Sequence, residues 1–457
     1  MSIRRVLIAN RGEIAMRVIR TCRRLGIETV LAASEIDRDS MPARFADYTV
    51  CVGPARPSDS YLNAGAIVQA ALGTHADAIH PGYGFLSERP VLARACEAHG
   101  LVFIGPTAGQ IESLGDKLSA RMEAQAAEVP LVPGGPVGSV AEALELARRI
   151  GLPVLVKAVG GGGGKGMRCV QRLEDLPGAI QLAESEASAA FGDPRLYIER
   201  FVTHGRHVEV QVLGDGHGEI VHLGERDCSV QRRYQKLIEE TPAPGLTEAC
   251  RRRLQAAAVR LAARMAYRGA GTVEFLVDCE RDAFYFLEMN ARIQVEHPVT
   301  EAVTGVDLVA EQIAIAAGEG LRLRQSEIRC RGCAIECRVN AEDPARDFQP
   351  SPGRVSAVSW ADGEGVRVDT HIDAGARVPP FYDSLMGKII VHGEERDTAL
   401  ERMWRAIATT RIQGVASNLA LHSTVLANRE FQDGGVDNGF LGRLLEGAPI
   451  LVEARLG

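Results

Sequence analysis

Phe284-Tyr285-Phe286-Leu287-Glu288-Met289-Asn290-Ala291-Arg292-Ile293-Gln294-Val295-Glu296-His297-Pro298-Val299-Thr300-Glu301 is the most informative stretch of the chain. From Glu288 the even positions hold Glu288, Asn290, Arg292, Gln294 and Glu296, and the odd ones hold Met289, Ala291, Ile293 and Val295. Successive side chains of an extended chain point to opposite faces, so this spacing predicts one row of five polar groups over an apolar back. The row is expected to run until His297-Pro298 ends the strand. Such a row could bind a cation at one end and an oxyanion at Arg292, and it could place a carboxylate base at Glu296. An amphipathic strand facing water is the plainer alternative.

Residues 271–277 and 284–290 read as two strands joined by the polar turn 278–282. Pairing centred near residue 281 puts Glu274 opposite Glu288. Two carboxylates on one face repel unless a cation lies between them, and Asn290 adds a third oxygen ligand, so the set reads as a Mg²⁺ site. The neighbours Phe275, Leu276, Phe284 and Phe286 are too apolar for an open, solvated face. His207, Glu209 and Gln211, alternating with Val208, Val210 and Val212, repeat the device with less specificity.

Two strand-like segments, 154–158 and 167–170, flank five consecutive glycines, Gly160 to Gly164, with Lys157 and Lys165 at the edges. Unobstructed backbone N–H groups beside ammonium groups suit polyphosphate. Gly166 stands where a Walker loop needs Ser or Thr, and a strand follows instead of a helix. A flexible linker is the alternative reading.

The chain opens as a βαβ unit, with a strand over 3–9, a helix ending at Gly26 and a strand over 28–33. Asn10-Arg11-Gly12-Glu13 occupies the turn where a dinucleotide fingerprint would stand, which argues against such a site despite the Rossmann-like rhythm. A strand over 76–80 runs into Pro81-Gly82-Tyr83-Gly84-Phe85-Leu86-Ser87-Glu88, a glycine-rich turn at the end of a strand where open α/β sheets bind ligands. Pro130, Pro133, Gly134, Gly135 and Pro136 mark a hinge, followed by a small α/β segment over about 137–202. A helix is expected over 247–267 and a helical region from about 397.

A length of 457 residues implies about three domains. Net charge is −7 with no long runs of either sign, so no nucleic-acid surface is expected. No apolar run approaches the ~20 residues of a membrane span, and the apolar run 6–9 is too short for a signal peptide, so a cytoplasmic protein with reduced thiols is expected. Cys330, Cys333 and Cys337 lack a His or fourth Cys in register, and no metal cluster is expected there. Only five lysines (Lys117, Lys157, Lys165, Lys236 and Lys388) stand beside 47 arginines. Each is a candidate for a place where a compact ammonium is needed.

These residues resemble the ATP-grasp biotin carboxylases, which carboxylate biotin in acetyl-CoA carboxylase and related enzymes. The resemblance covers about residues 1–447, through Ala9 to Ala15, His80 to Glu88, Lys157 to Met167, Glu225 to Ser229, Glu288 to Glu301 and Glu336 to Glu342. It implies an α/β fold, α+β in the C-terminal part. The expected parts are a Rossmann-like N-terminal domain (1–115), an ATP-grasp region (116–318) with a glycine-loop lid (about 137–202), a C-terminal domain (319–447) and a tail (448–457).

It further implies that ATP is bound by Lys117, Lys157, Gly163, Gly164, His207, Tyr234, Glu274 and Glu288, with Glu199, Arg200, Phe201 and Val202 lining the adenine pocket. Mg²⁺ (or Mn²⁺) would be held by Glu274, Glu288 and Asn290. Bicarbonate would sit among Lys236, Arg292, Gln294 and the Val295 backbone, with Glu296 as general base. Arg338 and Tyr83 would bind biotin, and Arg338 would stabilise its enolate. Tyr234 stands where the family has His, Arg200 replaces a Lys and Ala291 a Thr.

The implied function is ATP-dependent carboxylation of biotin with bicarbonate through carboxyphosphate. This is the first half-reaction of an acyl-CoA carboxylase, with acetyl-CoA carboxylase of fatty acid synthesis the leading case. Another ATP-grasp ligase would share the Lys157 loop and the acidic set, but Arg338 and the 292–301 run argue against it. A nucleotide-binding regulatory module would need a lost ligand. No lysine follows Lys388 and all five are placed elsewhere, so biotin is expected on a separate carrier protein, with carboxyltransferase subunits as further partners and a homodimer as the assembly.

Overall fold

A computed structural model describes residues 2–159, 167–191 and 193–447. Its N-terminal unit is a parallel sheet of β1 (Arg5–Ile8), β2 (Glu28–Ser34), β3 (Tyr48–Gly53), β4 (Ala78–His80) and β5 (Val102–Phe103), in the order β3-β2-β1-β4-β5. Helix α1 (Gly12–Arg24) buries Ile14, Val18, Ile19 and Cys22, whereas Leu25 falls at its C-cap and is exposed. The order reverses between β1 and β4, so the loops leaving these two strands flank the switch point where ligands bind.

The two loops are tied together. Asn10 Nδ2 donates to the carbonyls of Pro81 (2.8 Å) and Tyr83 (2.7 Å), and the Gly82 amide donates to His80 Nδ1 (3.0 Å). Gly82 has φ +63°, and a Cβ there would lie 2.8 Å from Asn10 Nδ2. Gly82→Ala is therefore expected to destabilise the protein by about 1–3 kcal/mol and to loosen the Tyr83 loop, measurable as a lower denaturation midpoint.

The helical stretch after this unit is split at Asp116, the N-cap of α2 (Lys117–Ala126). Next comes an antiparallel sheet of β6 (Gly134–Val137), β7 (Val154–Ala158), β8 (Arg168–Val170) and β9 (Leu196–Arg200), ordered β6-β9-β7-β8. It closes a core of its own around Leu146, Val154, Val156, Leu176 and Ile198. The expected strands 154–158 and 167–170 are present. The glycine run between them, with Gly163, Gly164 and Lys165, lies outside the described residues, as does the tail from 448.

The body is an eight-stranded antiparallel sheet of β10 (Gly205–Asp215), β11 (Ile220–Arg232), β12 (Gln235–Thr241), β13 (Arg268–Asp278), β14 (Ala283–Asn290), β15 (Cys333–Asn340), β16 (Val366–Thr370) and β17 (Leu385–Gly393), in the order β14-β13-β10-β11-β12-β15-β17-β16. Val208, Val210 and Val212 of β10 face helix α3 (Glu248–Arg264) and share one core with Leu7, Ile79 and Phe103 of the N-terminal unit. The opposite face, carrying His207, Glu209 and Gln211, is buried as well. Helix α4 (His297–Thr304) lies against β11, β12, β15 and β17.

The β13–β14 hairpin pairs Glu274 with Glu288 and Thr272 with Asn290, as alternation predicts. Nearer the turn the register changes to Phe275 opposite Phe286, and the bulge leaves Leu287 unpaired and exposed. The expected single row does not form. The strand stops at Asn290, residues 291–296 turn, and His297-Pro298 begins α4 rather than ending a strand, proline being favoured in a helix's first turn.

Candidate active site

Across four adjacent strands, Arg226 of β11, Glu209 of β10, Glu274 of β13 and Glu288 of β14 stand side by side in register. Three abreast carboxylates require cations, and Lys236 of β12 supplies the nearest. Its Nζ donates to Glu209 Oε2 (2.5 Å), Glu274 Oε1 (2.9 Å) and Glu296 Oε1 (2.7 Å). Burial opposes its charge, but Glu209, Glu274 and Glu296 together hold its ammonium well above the ordinary lysine range. A compact ammonium serves all three acceptors from a single nitrogen.

His207 Nε2 lies 3.0 Å from Glu274 Oε2 and 3.7 Å from Glu209 Oε2. Burial lowers its pKa but the Glu274 carboxylate more than compensates, and the imidazole is pushed up to about 9. Arg226, fully buried, binds Glu209 (2.6 Å), Gln211 (2.9 Å), Thr300 (2.9 Å), Thr272 (3.2 Å) and Gln294 (3.2 Å). It thereby fastens the start of α4 to the sheet. Gln294 Nε2 in turn donates to Glu274 Oε1 at 2.8 Å.

Glu296 is the N-cap of α4 and almost fully buried. One oxygen takes Lys236, and the other takes Arg338 at 2.9 Å. Burial raises its pKa, but Lys236 and Arg338 outweigh that and keep the carboxyl below its usual range, so it is ionised and able to accept a proton. Arg338 also binds Glu239 through Nε at 2.6 Å. Burial pushes Glu239 up to about 7 in spite of that arginine. The Tyr83 hydroxyl is donated to Glu13 Oε1.

The oxygen donors Glu274, Glu288 and Asn290 converge at the cleft edge. Burial and the like charge of Glu274 push Glu288 upward, a repulsion that a hard cation between them would relieve. Asn290 turns its Nδ2 toward Glu274 (3.2 Å) and Glu288 (3.4 Å), while its Oδ1 accepts from Arg292 (2.7 Å). Ligation by its oxygen therefore needs the amide to turn over. Arg292 also binds Glu88 Oε2 at 2.8 Å, joining this end to the loop after β4.

Farther out, Lys157 pairs with Glu199 at 2.6 Å across β7 and β9. Arg200 donates to the Tyr285 hydroxyl, the Phe201 amide to the Pro153 carbonyl (2.8 Å), and Val202 is buried. Lys117 is the first residue of α2. Tyr234, at φ +67°, is exposed at the β11–β12 turn. The structure thus gathers Lys236, Glu274, Gln294 and Glu296 into one bonded cluster, with Arg292 and Arg338 at its two ends. The sequence placed Glu209 in a second polar row and Arg226 in a resembling segment without giving either a role, and it left out Glu239. For Glu209 the signal was present, since it shares the alternating row of His207.

Comparison with known proteins matches three family models: "Biotin carboxylase, N-terminal domain" over residues 2–111, "Carbamoyl-phosphate synthase L chain, ATP binding domain" over 116–324, and "Biotin carboxylase C-terminal domain" over 336–443. The biotin carboxylase of Nostoc sp. is 50% identical over 443 residues, 96% of this chain and 99% of that one. A crystal structure of a biotin carboxylase–β,γ-ATP complex from Campylobacter jejuni has a TM-score of 0.91 at 44% identity, covering 97% of this chain and 99% of that one. The biotin carboxylase domain dimer of the Hydrogenobacter thermophilus 2-oxoglutarate carboxylase, in complex with MgADP, ADP and bicarbonate, has a TM-score of 0.89 at 44% identity, covering 98% and 100%. Fold and site together define an ATP-grasp carboxylase, a ligase that spends ATP to form a carbon–nitrogen bond. The chain belongs to the biotin carboxylase family.

Proposed function

We propose that Glu296, bridged between Lys236 and Arg338, is the general base of ATP-dependent biotin carboxylation, and this bridge is the observation that carries the reading. Glu296 takes the proton of bicarbonate held by Lys236, Arg292, Gln294 and the Val295 backbone. The bicarbonate oxygen attacks the γ-phosphorus of ATP, giving carboxyphosphate and ADP. Carboxyphosphate decomposes to CO₂ and phosphate, the phosphate removes the biotin N1′ proton, and Arg338 stabilises the enolate that attacks CO₂. Tyr83 lines the biotin side.

Lys117, Lys157, Gly163, Gly164, His207 and Tyr234 are assigned to ATP, with Glu199 to Val202 beside the adenine. Mg²⁺ or Mn²⁺, held by Glu274, Glu288 and Asn290, would neutralise charge on the phosphates. The MgADP and bicarbonate of the Hydrogenobacter complex support nucleotide, Mg²⁺ and bicarbonate as the ligands. Biotin-dependent ATP cleavage in bicarbonate, measured on the purified chain, tests the reading against other acyl-phosphate ligases.

The parts of the chain are taken as 1–115, 116–318 with its lid, 319–447 and the tail, in a homodimer like the domain dimer reported for the Hydrogenobacter protein. Biotin is proposed to reach the site on a carrier protein, since none of the five lysines here is flanked by methionines. Free biotin is expected to be carboxylated slowly and carrier-bound biotin far faster, since docking orients the ureido ring. Intact mass should show no biotin adduct, and an adduct on any of the five lysines would overturn the carrier assignment.

Acetyl-CoA carboxylation for fatty acid synthesis in the cytoplasm is the proposed setting, with 2-oxo acid carboxylation the alternative that the similar biotin carboxylase parts of pyruvate and 2-oxoglutarate carboxylases keep open. Recombination with carrier and carboxyltransferase subunits, offered acetyl-CoA and 2-oxo acids in parallel, decides the acceptor.

A further inference from the structure

Lys388 is the one described lysine to which the reading above gives no part. It stands on β17 directly opposite Arg338 of β15 and is wholly removed from solvent, at 0% exposure. Its Nζ donates to the Val295 carbonyl at 2.6 Å and pairs with Glu13 Oε1 at 3.2 Å. That same Glu13 oxygen accepts the Tyr83 hydroxyl, and Glu13 is fully buried too. One ammonium therefore ties together the turn before α4, the start of α1 and, through Glu13, the loop after β4. Burying an ammonium and a carboxylate together is costly compared with an apolar pair of similar volume, so stability alone is a poor reason for it.

We propose that Lys388 is a positioning residue for both half-reactions, setting the backbone that carries Glu296 and, through Glu13, the Tyr83 hydroxyl. The Val295 carbonyl belongs to the trans peptide leading into Glu296. In such a peptide C=O and N–H point in opposite directions, so drawing the carbonyl onto Lys388 fixes the plane from which Glu296 departs. Glu296 can then reach Lys236 with one oxygen and Arg338 with the other. The ammonium reaches both acceptors from one atom, the Val295 carbonyl at 2.6 Å and Glu13 Oε1 at 3.2 Å, a geometry that suits a compact point charge. The inference rests on the assignment of Val295 and Glu296 to bicarbonate and of Tyr83 to biotin.

Lys388→Met alone would leave Glu13 buried without its cation, so the test uses Lys388→Met combined with Glu13→Gln, which removes both charges. The full chain carrying both changes should fold and bind nucleotide as before. Its kcat/KM for bicarbonate should fall by about 10²-fold, carried by KM, with a raised KM for free biotin, the cost of misplacement by about 1 Å. Wild-type KM values for both substrates, even with a lower denaturation midpoint, would make Lys388 a structural residue and overturn the proposal. Glu296→Gln, run in parallel, separates the two ideas. Retained turnover there defeats the general-base reading, whereas lost turnover there with normal KM values here defeats only the role of Lys388.

Discussion

Glu296→Gln is expected to lower bicarbonate-dependent ATP turnover by about 10²- to 10⁴-fold while nucleotide affinity stays close to wild type. The amide keeps the shape of the carboxylate but cannot take a proton. Nor should the cluster collapse, because Lys236 keeps Glu209 and Glu274 as partners and Arg338 keeps Glu239. One strain is predictable. An amide offers a single acceptor oxygen where Glu296 now offers two, so its NH₂ must face either Lys236 or Arg338, and the substrate that shares those cations should bind less well. Single-turnover ATP cleavage with and without bicarbonate separates the chemical loss from the binding loss. Turnover near wild type would sink the assignment.

Arg338→Ala should act on the second step. Carboxybiotin formation is expected to fall by about 10²- to 10³-fold, the cost of removing one preorganised donor to a developing oxyanion. Biotin-independent ATP cleavage is expected to fall too, but by only about tenfold, because Glu296 loses one charge-assisted contact, worth about 1.5 kcal/mol, and keeps Lys236. The fold should tolerate the change. Glu239, already pushed up to about 7 by burial, can take a proton once its arginine is gone, which avoids leaving a bare buried carboxylate. Equal losses in both assays would show that Arg338 serves the first step or the fold instead.

Alternation and turn chemistry alone settled the local elements. The β13–β14 hairpin, the opposition of Glu274 and Glu288, the strands around the glycine run and the parallel opening sheet all follow from periods of 2.0 and 3.6 residues and from Gly and Pro placement. The resemblance carried by the 288–301 run extended that to the ATP-grasp fold and the carboxylase chemistry. What the pattern could not contain is where the row ends. Polar and apolar residues alternate to Glu296, yet the backbone turns after Asn290, because the alternation records which side chains meet polar partners, and that can be met by a turn as well as by a strand. Those partners come from far along the chain: Glu88 for Arg292, Lys236 for Glu296, Glu239 for Arg338 and Glu13 for Lys388. The charge balance of the site was therefore decided only in the tertiary structure, which brings β10, β13 and the start of α4 within hydrogen-bonding reach of one lysine on β12. A buried carboxylate is stable there only with that cation present, and sequence spacing carries no record of a pairing made across tens to hundreds of residues.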